Sequence, residues 1–426
     1  MQARMTQSRH MLSENNGTQR VAMLAHTVYV FDPRVRREAE ALAQQGFEVH
    51  VVSLTEEGFA TQPQPKTAMV NGVHVHRLPI KKKRGSSLRY LFEYFMTGWL
   101  GFLKLAALHL QGKLKVVHIH NMPDLLILSA VIPRLGGSKL VLDIHDPMPE
   151  LYMSSHNRAP SKGMVKLLRL QEKVSCGLAD RVISVNDSMR ENLRDKGVSD
   201  DKIFIVHNFP DQRVFPIREV PASWPRNPDA LSLLYCGTIS QNYDLDLIVR
   251  AVARLAGEMK IRFKVVGGGA SLAGIVELAR SLGVADSVEL IGVLPLERVH
   301  EEMRNADVGI SCQRGSVFGD LQFPTKIVEY LTQGLPVVTP QTYTVAKYLP
   351  ADCLFYHEPG NDAALAETLR FMWHNPAEVL RRLTRARRLL PHLSWHVEKE
   401  RFLAFYAELV QDSRRSRSRT TAATTN

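Results

Sequence analysis

The sequence predicts an α/β protein built from two Rossmann-like, doubly wound domains that face each other across a cleft. Apolar runs of strand length alternate with helical stretches along the chain, which is typical of parallel sheets covered by helices. A Pro-rich stretch at 210–230 interrupts this alternation, which then starts again. The length of 426 residues also exceeds what one hydrophobic core usually organises.

The first domain is predicted over residues 20–209. Its last two helices are expected at 161–178 and 187–196, each between apolar runs. The polar residues 1–19 carry no apolar stretch, so they are predicted to be a disordered lead-in without a signal peptide. The predicted strands lie in VAMLAHTVYV, FEVHVVSL, VHVHRLP, KVVHIHN, KLVLDIHD, RVISVN and KIFIVHNF.

The second domain is predicted over residues 231–393, after a linker at 210–230. Strands are expected in LSLLYCGTIS, FKVVGGG and SVELIGV, and helices at 245–256 and 272–282. Residues 394–411 are predicted to form a return helix. The basic tail, residues 412–426, is predicted to be disordered.

The net charge of +11 raises the question of nucleic acid binding. Three separated basic stretches, at 81–84, 378–390 and 411–426, account for the excess, and no single basic stripe with interleaved aromatic residues is evident. We therefore expect no nucleic acid partner, and an anionic membrane surface fits scattered basic patches better. The four cysteines form no CxxC pair, which predicts neither a disulfide framework nor a zinc site and favours the cytoplasm.

Residues 86–113 form a long apolar stretch interrupted by Arg89, Glu93, Lys104 and His109. No uninterrupted run approaches the roughly 18 apolar residues of a membrane span. Two interpretations stay open: a helix that faces the core of the first domain, and a helix that lies on a membrane surface beside the basic residues 81–84. The second would make the protein peripheral at the inner face of a membrane.

A turn in the second half carries the residue types of a phosphate site. Pro324, Thr325, Lys326 and Glu329 lie at the predicted start of a helix. Unpaired N–H groups there and the lysine charge suit a phosphate group, while the carboxylate can accept hydrogen bonds from sugar hydroxyls. The alternative is an ordinary helix start with charges that point to water.

Two glycine loops end predicted strands in the same half. Gly267, Gly268 and Gly269 follow FKVV, and Gly237 with Thr238 follows LLYC. Glycines permit close approach of a diphosphate to the backbone, although each loop alone can be a tight turn. Leu272 stands where a dinucleotide fingerprint needs a further glycine, which disfavours a dehydrogenase.

Histidines and carboxylates gather after two strands of the first half. They are His118, His120, Asp124, His145, Asp146 and Glu150. A wall that binds sugar hydroxyls, a set of structural histidines and a metal site are all compatible with this density. Because no HExxH spacing occurs, we expect no metal.

In order along the chain, these motifs resemble those of GT-B glycosyltransferases of family 4, from Arg20 to about Val410. The resemblance is carried by DPRVRREAEALAQQGFEVHVVS, VVHIHN, KLVLDIHD, LADRVISVNDSMRENL, KIFIVHNFPDQRVF, YCGTISQNYDLDLIVRA, FKVVGGG, VELIGVLPLERVHEEMRNADVGI and PTKIVEYLTQGLPVV. It implies transfer of a hexose from a nucleotide diphosphate sugar, with retention of configuration and without a cofactor or metal. The acceptor would be a glycan or a lipid-linked molecule, in surface polysaccharide synthesis.

The resemblance also implies roles for single residues. His145, Lys326 and Glu329 would be catalytic, with His145 at the donor sugar and Glu329 at the ribose. Donor binding would involve Gly237, Thr238, Gly267, Gly268, Gly269, Arg314, Pro324, Thr325, Lys326 and Glu329. Arg34, His120 and Asp146 would lie on the acceptor side.

The chain departs from the family pattern at three places. Leu321 replaces the first of two glutamates, and GTISQNYD lacks the usual Arg/Lys pair. Residues 32–34, Asp-Pro-Arg, replace a glycine-rich first loop, which makes Arg34 a candidate contact. Lys326, with Arg314, is expected to neutralise the diphosphate instead. Two alternatives remain, a non-catalytic nucleotide-binding scaffold and a nucleotide-sugar epimerase, and the sequence specifies neither sugar, base, acceptor, linkage nor oligomeric state.

Overall fold

The computed structural model describes residues 19–56, 64–81, 87–154 and 159–423, with side chains throughout except at 87–88 and 412–423. Except for Gln19, the predicted lead-in lies outside the described residues, as do residues 82–84 of the first basic stretch. The chain divides into two compact units. The first comprises 1–151, 160–207 and 398–426, and the second comprises 152–159 and 208–397.

The first unit is organised around an eight-stranded sheet with the order β3-β4-β2-β1-β5-β6-β7-β8. All neighbouring strands are parallel except β3 and β4, which are antiparallel. The order reverses between β1 and β5, and ligands of such sheets bind beyond the carboxyl ends of the strands at this point. The strands are β1 (Arg20–Leu24), β2 (Glu48–Leu54), β3 (Thr67–Val70), β4 (Val73–Leu78), β5 (Val116–His120), β6 (Lys139–Ile144), β7 (Arg181–Ser184) and β8 (Ile203–Ile205).

Helices connect the parallel strands of the first unit. The first of them begins sharply, because Asp32 Oδ1 accepts hydrogen bonds from the backbone of Arg34 and Val35 and Pro33 opens the helix. A 3₁₀ segment, Asp124–Ala130, follows β5 and precedes α3. The helices are α1 (Pro33–Gln44), α2 (Ser87–Gln111), α3 (Val131–Leu135), α4 (Met148–Ser154), α5 (Lys162–Leu178) and α6 (Asp187–Asp195), and residues 152–154 at the end of α4 are assigned to the second unit.

The second unit contains a six-stranded parallel sheet with the order β11-β10-β9-β12-β13-β14. Its order reverses between β9 and β12, so the segments that follow these two strands meet at one place on the sheet edge. The strands are β9 (Leu231–Cys236), β10 (Ile261–Val266), β11 (Val288–Gly292), β12 (Val308–Ile310), β13 (Val337–Pro340) and β14 (Phe355–His357).

Helices also cover the second sheet. Their buried faces meet core residues such as Leu233, Phe263 and Val338. The helices are α7 (Leu245–Leu255), α8 (Leu272–Ser281), α9 (Leu296–Asn305), α10 (Val317–Leu321), α11 (Thr325–Thr332), α12 (Tyr343–Tyr348), α13 (Asp362–His374) and α14 (Pro376–Leu389).

The predicted linker, 210–230, has no helix or strand, yet it belongs to the second unit. Phe215 and Trp224 are buried in the cores of that unit, and Trp224 Nε1 donates to the Asp307 carbonyl at 2.8 Å. The unit boundary accordingly falls after His207, two residues before the predicted one. Aromatic residues within the Pro-rich stretch explain why it packs.

The last helix, α15 (Trp395–Ala423), continues beyond the predicted return helix and through most of the predicted disordered tail. Residues 412–423 contain neither glycine nor proline, so no local signal ends the helix. From Glu398 onward it belongs to the first unit, where Tyr406 is fully buried. The chain therefore returns to its first unit at its end.

Candidate functional site

Two loops and one helix start come together in the second unit. The glycine loops, 237–239 and 267–269, directly follow β9 and β10, and α11 begins after β12. A Cβ atom placed on Gly237 would stand 2.9 Å from Lys326 Nζ. The reversal of strand order between β9 and β12 thus brings the first glycine loop against the lysine of α11.

The glycines allow the two loops to pack closely against each other. Gly237 and Gly267 have φ angles of 149° and 142°, which other residues rarely adopt. A Cβ on Gly267 would lie 1.9 Å from the Gly237 carbonyl oxygen, and one on Gly269 would lie 1.9 Å from that of Ile239. The sequence left two interpretations of these glycines open, approach of a diphosphate and a tight turn. The structure adds a further reason for them, the packing of one loop on the other.

Only some N–H groups of the glycine loops are already engaged. Gly237 donates to Val266, Gly267 to Gly292 and Ile239 to Gly268, at 2.8–3.1 Å. In the described part of the chain, no hydrogen bond uses the backbone N–H of Thr238, Gly268 or Gly269. These three N–H groups are therefore available to an anion.

Lys326 lies between aromatic rings. Its Nζ stands 4.1 Å from the centre of the Tyr235 ring and 4.7 Å from that of Tyr243. The Tyr235 hydroxyl donates to the Thr238 carbonyl at 2.8 Å, which fixes this ring against the glycine loop. Burial lowers the pKa of Lys326, although Cys312 and Glu329 act to raise it. Lys326 is partly exposed, and an ammonium that is partly shielded from water gains more from an incoming anion than a fully exposed one does.

The start of α11 adds further donors to the same place. Pro324, which precedes α11, supplies no side-chain cap, and the Ile327 N–H donates to its carbonyl at 3.1 Å. In the part of the chain that the structure describes, no hydrogen bond uses the backbone N–H of Thr325 or Lys326. Glu329 lies on the same helix, one turn after Lys326, and is partly exposed. The four predicted residues Pro324, Thr325, Lys326 and Glu329 are therefore arranged on one short helix start beside the glycine loops.

Arg314 differs from Lys326 because its charge is already balanced. Its Nε donates to Asp244 Oδ1 at 2.6 Å, and Asp246 lies at 3.9 Å. The predicted role of Arg314 at the diphosphate therefore competes with two carboxylates. Asp320 accepts from the backbone N–H of Tyr343 and so caps the start of α12, while the half-buried Leu321 offers no polar group.

A second group of charged residues lies at the carboxyl ends of β5 and β6 in the first unit. We call it the histidine cluster; it consists of Arg34, Glu38, His118, His120, Asp143 and His145. Arg34 is buried and makes two hydrogen bonds of 2.9 Å to Asp143, while its Nη1 donates to the Val206 carbonyl. Arg34 also lies 3.2 Å from Glu38. Its predicted role as a phosphate or acceptor contact is not supported by this placement, because the guanidinium is used inside the unit.

Three histidines surround Asp143. His145 Nε2 lies 3.0 Å from Asp143 Oδ2, His120 Nδ1 lies 3.3 Å away and His118 Nε2 lies 3.7 Å away. His118 and His120 are fully buried, whereas the His145 side chain is 23% exposed. Of these three rings, His145 is therefore the one that a ligand could reach.

The pKa values of the histidine cluster diverge. Burial acts to raise the pKa of Asp143, but Arg34 and His145 hold it well below its usual range. Burial acts to lower the pKa of His145, and Asp143 outweighs it, so the pKa is raised. Burial lowers the pKa of His118 to about 4 and raises that of Glu38. Of the three histidines, His145 is therefore the one whose surroundings favour the protonated, positively charged imidazole.

Asn121 holds the exposed end of the cluster. Its Oδ1 accepts from the His145 backbone N–H at 2.8 Å, and its Nδ2 donates to the Asp146 carbonyl at 2.7 Å. Burial raises the pKa of Asp146. Sequence reasoning missed Asn121 and Asp143; the second had a signal, since it precedes His145 by two residues on a strand and shares its face.

Four residues of the cluster have the donor atoms of a metal site. Ligand atoms of Glu38, His118, His120 and Asp143 lie within 4.8 Å of one another. Arg34 already supplies positive charge to both carboxylates, so a metal ion would meet a fixed cation there. The other predicted members are elsewhere engaged: Asp124 accepts from Asn121, and Glu150 pairs with Lys196.

Comparison with known proteins decides the family. The family model described as "Glycosyl transferase 4-like domain" matches residues 32–208, and "Glycosyl transferases group 1" matches residues 216–389. The chain belongs to the GT-B glycosyltransferases. Sucrose-phosphate synthase from Thermosynechococcus elongatus has the same fold, with a TM-score of 0.76 and 17% identity over 92% of this chain and 100% of that one.

Two further proteins are similar to this glycosyltransferase. Anabaena Alr3699/HepE, solved in complex with UDP, gives a TM-score of 0.65 with 13% identity over 92% of this chain and 100% of that one. The phosphatidylinositol N-acetylglucosaminyltransferase GPI3 subunit of Saccharomyces cerevisiae is 25% identical over 295 residues. That match covers 68% of this chain and 61% of the yeast protein.

Proposed function

We propose that this protein transfers a hexose from a nucleotide diphosphate sugar to a glycan or lipid-linked acceptor, with retention of configuration. The observation that carries the proposal is the anion site of the second unit. Lys326 Nζ, the unused N–H groups of Thr238, Gly268 and Gly269, and the start of α11 offer positive potential within one small region. We propose that the anion is the diphosphate of a nucleotide sugar, which the UDP complex of the Anabaena neighbour supports.

The chemistry follows from the charge that develops on the leaving group. The bond between the sugar carbon and the diphosphate oxygen breaks, and electrons move onto the phosphate. Lys326 and the helix N–H groups stabilise that charge as it develops. The acceptor oxygen then forms the new bond on the same face of the sugar, and its proton passes to the departing phosphate oxygen.

Two further residues complete the proposal. Glu329 would accept hydrogen bonds from the ribose hydroxyls of the donor. For His145, contact with the donor sugar stays a prediction from the sequence; within the first unit, its charge-bearing form is supported by Asp143 at 3.0 Å. No cofactor or metal is invoked in these steps.

The acceptor class is proposed from two kinds of support. The name of the yeast relative gives phosphatidylinositol as its acceptor, although this chain spans only 61% of that protein. The first unit also exposes an apolar and basic surface, described below. A lipid-linked acceptor at the cytoplasmic face of a membrane, used in surface polysaccharide synthesis, is consistent with both.

A panel of nucleotide sugars tests the proposal, beginning with UDP-sugars because the Anabaena neighbour was solved with UDP. Each donor is incubated with and without lipid extract, and free nucleotide diphosphate and glycosylated lipid are measured. Transfer that depends on acceptor supports the proposal. Nucleotide binding without turnover would favour a scaffold, and conversion of the donor without acceptor would favour an epimerase.

A further inference from the structure

Several helices of the first unit lie on one face of its sheet. The chain moves in one direction across the sheet from β4 to β5, β6 and β7, and right-handed crossovers then place the connecting helices on the same side. These connections contain α2, the 3₁₀ segment with α3, and α5. The 3₁₀ segment packs against both α2 and α5, so the three form a neighbouring layer.

The outer side of α2 is apolar. Leu91, Phe95, Trp99 and Leu103 follow one another at intervals of four residues, which places them on one stripe of the helix. Phe95 is 68% exposed, and Trp99 is 52% exposed. The opposite side packs into the unit, where Leu105 and Leu108 are buried. Exposed aromatic side chains in such a row are unusual on a surface that faces only water.

The intervening segment continues this apolar character. Leu125 and Leu128 of the 3₁₀ segment and Val131 and Leu135 of α3 are all exposed, Leu135 to 80%. Because the segment contacts α2 on one side and α5 on the other, its leucines extend the apolar surface toward α5.

Helix α5 adds charge of one sign. Lys162, Lys166, Arg169 and Lys173 recur at helical spacing on its exposed side, and no ion pair among the described residues involves them. The helix has one acidic residue, Glu172, which is buried and paired with Lys196.

An apolar stripe runs beside these cations. Leu167, Leu170 and Val174 are exposed on α5 at intervals of three and four residues. The helix therefore presents a buried side, a basic stripe and an apolar stripe, an arrangement typical of helices that lie in a membrane interface.

We infer that α2, the 3₁₀ segment with α3, and α5 form one surface that docks onto an anionic lipid membrane. The aromatic and leucine side chains would enter the headgroup boundary, and the cations of α5 would contact the lipid phosphates. Charge complementarity identifies the occupant, because the exposed side of α5 carries four cations and no anion.

The contacts of α2 favour a helix that lies on the membrane surface over one that spans the membrane. Among the described helices, residues Arg89–Gln111 are long and apolar enough to cross a membrane by length and composition. The same helix buries Glu93, Thr97 and Leu105 inside the first unit, and Glu93 is held by Arg89 at 2.8 Å. One side of α2 is therefore committed to the protein, and its other side is available to lipid.

Sedimentation with vesicles tests the inference. Vesicles of phosphatidylcholine alone are compared with vesicles that also contain phosphatidylglycerol, at low and high salt. We expect binding to the anionic vesicles at low salt and its loss at high salt. The triple variant K166Q/R169Q/K173Q should bind about a hundredfold more weakly, on the scale of three lipid-facing charges.

Matched controls come from the second unit. The variant R381Q/R385Q/R388Q removes the same number of charges from α14, and Phe371→Ser removes an exposed aromatic residue from α13. Both should bind vesicles like the wild type, whereas Phe95→Ser should weaken binding. Thermal unfolding of each variant confirms that these exposed substitutions leave the fold intact.

Three outcomes would overturn the inference. They are absence of vesicle binding at low salt, an equal loss in the α5 and α14 variants, and concentration-dependent self-association that Phe95→Ser abolishes. The last would identify a second copy of the chain as the occupant. Because vesicle binding is measured without any nucleotide sugar, its failure leaves the proposed sugar transfer untouched.

Discussion

The two charged groups of this protein differ in whether their charges are already balanced. In the first unit, Arg34 and Asp143 are bound to each other by two hydrogen bonds of 2.9 Å, and both are buried. In the second unit, Lys326 rests on the rings of Tyr235 and Tyr243, beside N–H groups that no hydrogen bond uses.

This difference separates a scaffold from a binding site. A balanced buried ion pair holds its neighbours in place and offers little to a ligand. A cation beside unused donors gains most when an anion arrives. The comparison predicts that substitutions in the histidine cluster act on folding and on His145, whereas substitutions at Lys326 act on the ligand.

The largest effect is expected for Asp143→Asn. It leaves the Arg34 guanidinium buried without its carboxylate, which should cost about 3–5 kcal/mol of unfolding free energy. Glu38→Gln is the matched control. Burial raises the pKa of Glu38 and so favours its neutral form, which glutamine imitates, and this variant should be much closer to the wild type. Urea denaturation at neutral pH measures the unfolding free energy of both variants. Equal losses of unfolding free energy would contradict the assignment of Asp143 as the residue that balances the charge of Arg34.

The next largest effect is expected for Lys326→Ala. Loss of one charge contact to the leaving group should lower turnover by about 10²-fold or more. Lys347→Ala, which removes an exposed lysine of the same unit, should turn over like the wild type. Initial rates with a saturating donor separate the two, and normal turnover in Lys326→Ala would remove this lysine from the mechanism.

Gly267→Ala tests the contact between the glycine loops. The new Cβ would meet the Gly237 carbonyl at 1.9 Å and force a positive φ on alanine, which costs about 1–2 kcal/mol before the clash is counted. Gly274→Ala is the control, because its Cβ meets no atom within 4 Å and it lies in helix α8. We expect lower melting temperature and weaker donor binding for the first variant only. A Gly267→Ala protein with the melting temperature and donor affinity of the wild type would show that the two glycine loops are not packed in this way.

The loss of unfolding free energy caused by Asp143→Asn should depend on pH, in a way that follows from the signs of the pKa shifts. His145 has a raised pKa, so its stabilisation is complete below about pH 6.5 and fades as pH rises through the folded value. Asp143 has a lowered pKa, so its stabilisation is present above about pH 4 and fades as pH falls through the folded value. The loss caused by the variant should therefore be greatest between about pH 4 and 6.5. A loss that grows steadily above this window would contradict the pairing with His145.

The smallest effect is expected for Arg314→Gln. The arginine is balanced by Asp244 and half exposed, and such pairs contribute about 0–1 kcal/mol. Donor affinity should change by less than about tenfold, well below the effect at Lys326. Titration of donor into Arg314→Gln and Lys326→Ala compares their donor affinities. A larger loss of affinity in Arg314→Gln would reverse the roles assigned to the two cations.

The sequence predicted most of the fold because its pattern is local. Alternating apolar runs located both sheets, and helices at 187–196 and 272–282 were correct to one residue. Two predictions differ from the structure, one because of contacts made over long distances in sequence and one because no local signal ends the last helix. The predicted linker is packed through Phe215 and Trp224, and the final helix continues into residues predicted to be disordered.

The sequence identified residues that the structure brings together in the candidate site, but it did not show several of their contacts. The glycine loops and the start of α11 lie together, while their role at a diphosphate stays a prediction. Arg34 was a candidate ligand contact because residues 32–34 replace the family's glycine-rich first loop. Its partner Asp143 lies 109 residues away in sequence and could not be identified from a local pattern. Likewise, periodicity alone could not show that the glycines face a neighbouring loop.

The most direct test of the central claim compares UDP with uridine by calorimetric titration into the wild type and Lys326→Ala. The two ligands differ by the diphosphate, so their difference isolates the anion site. We predict that the variant binds UDP at least about tenfold more weakly, the scale of one charged hydrogen bond, and binds uridine unchanged. Equal UDP affinity in both proteins would contradict the claim that Lys326 holds the diphosphate.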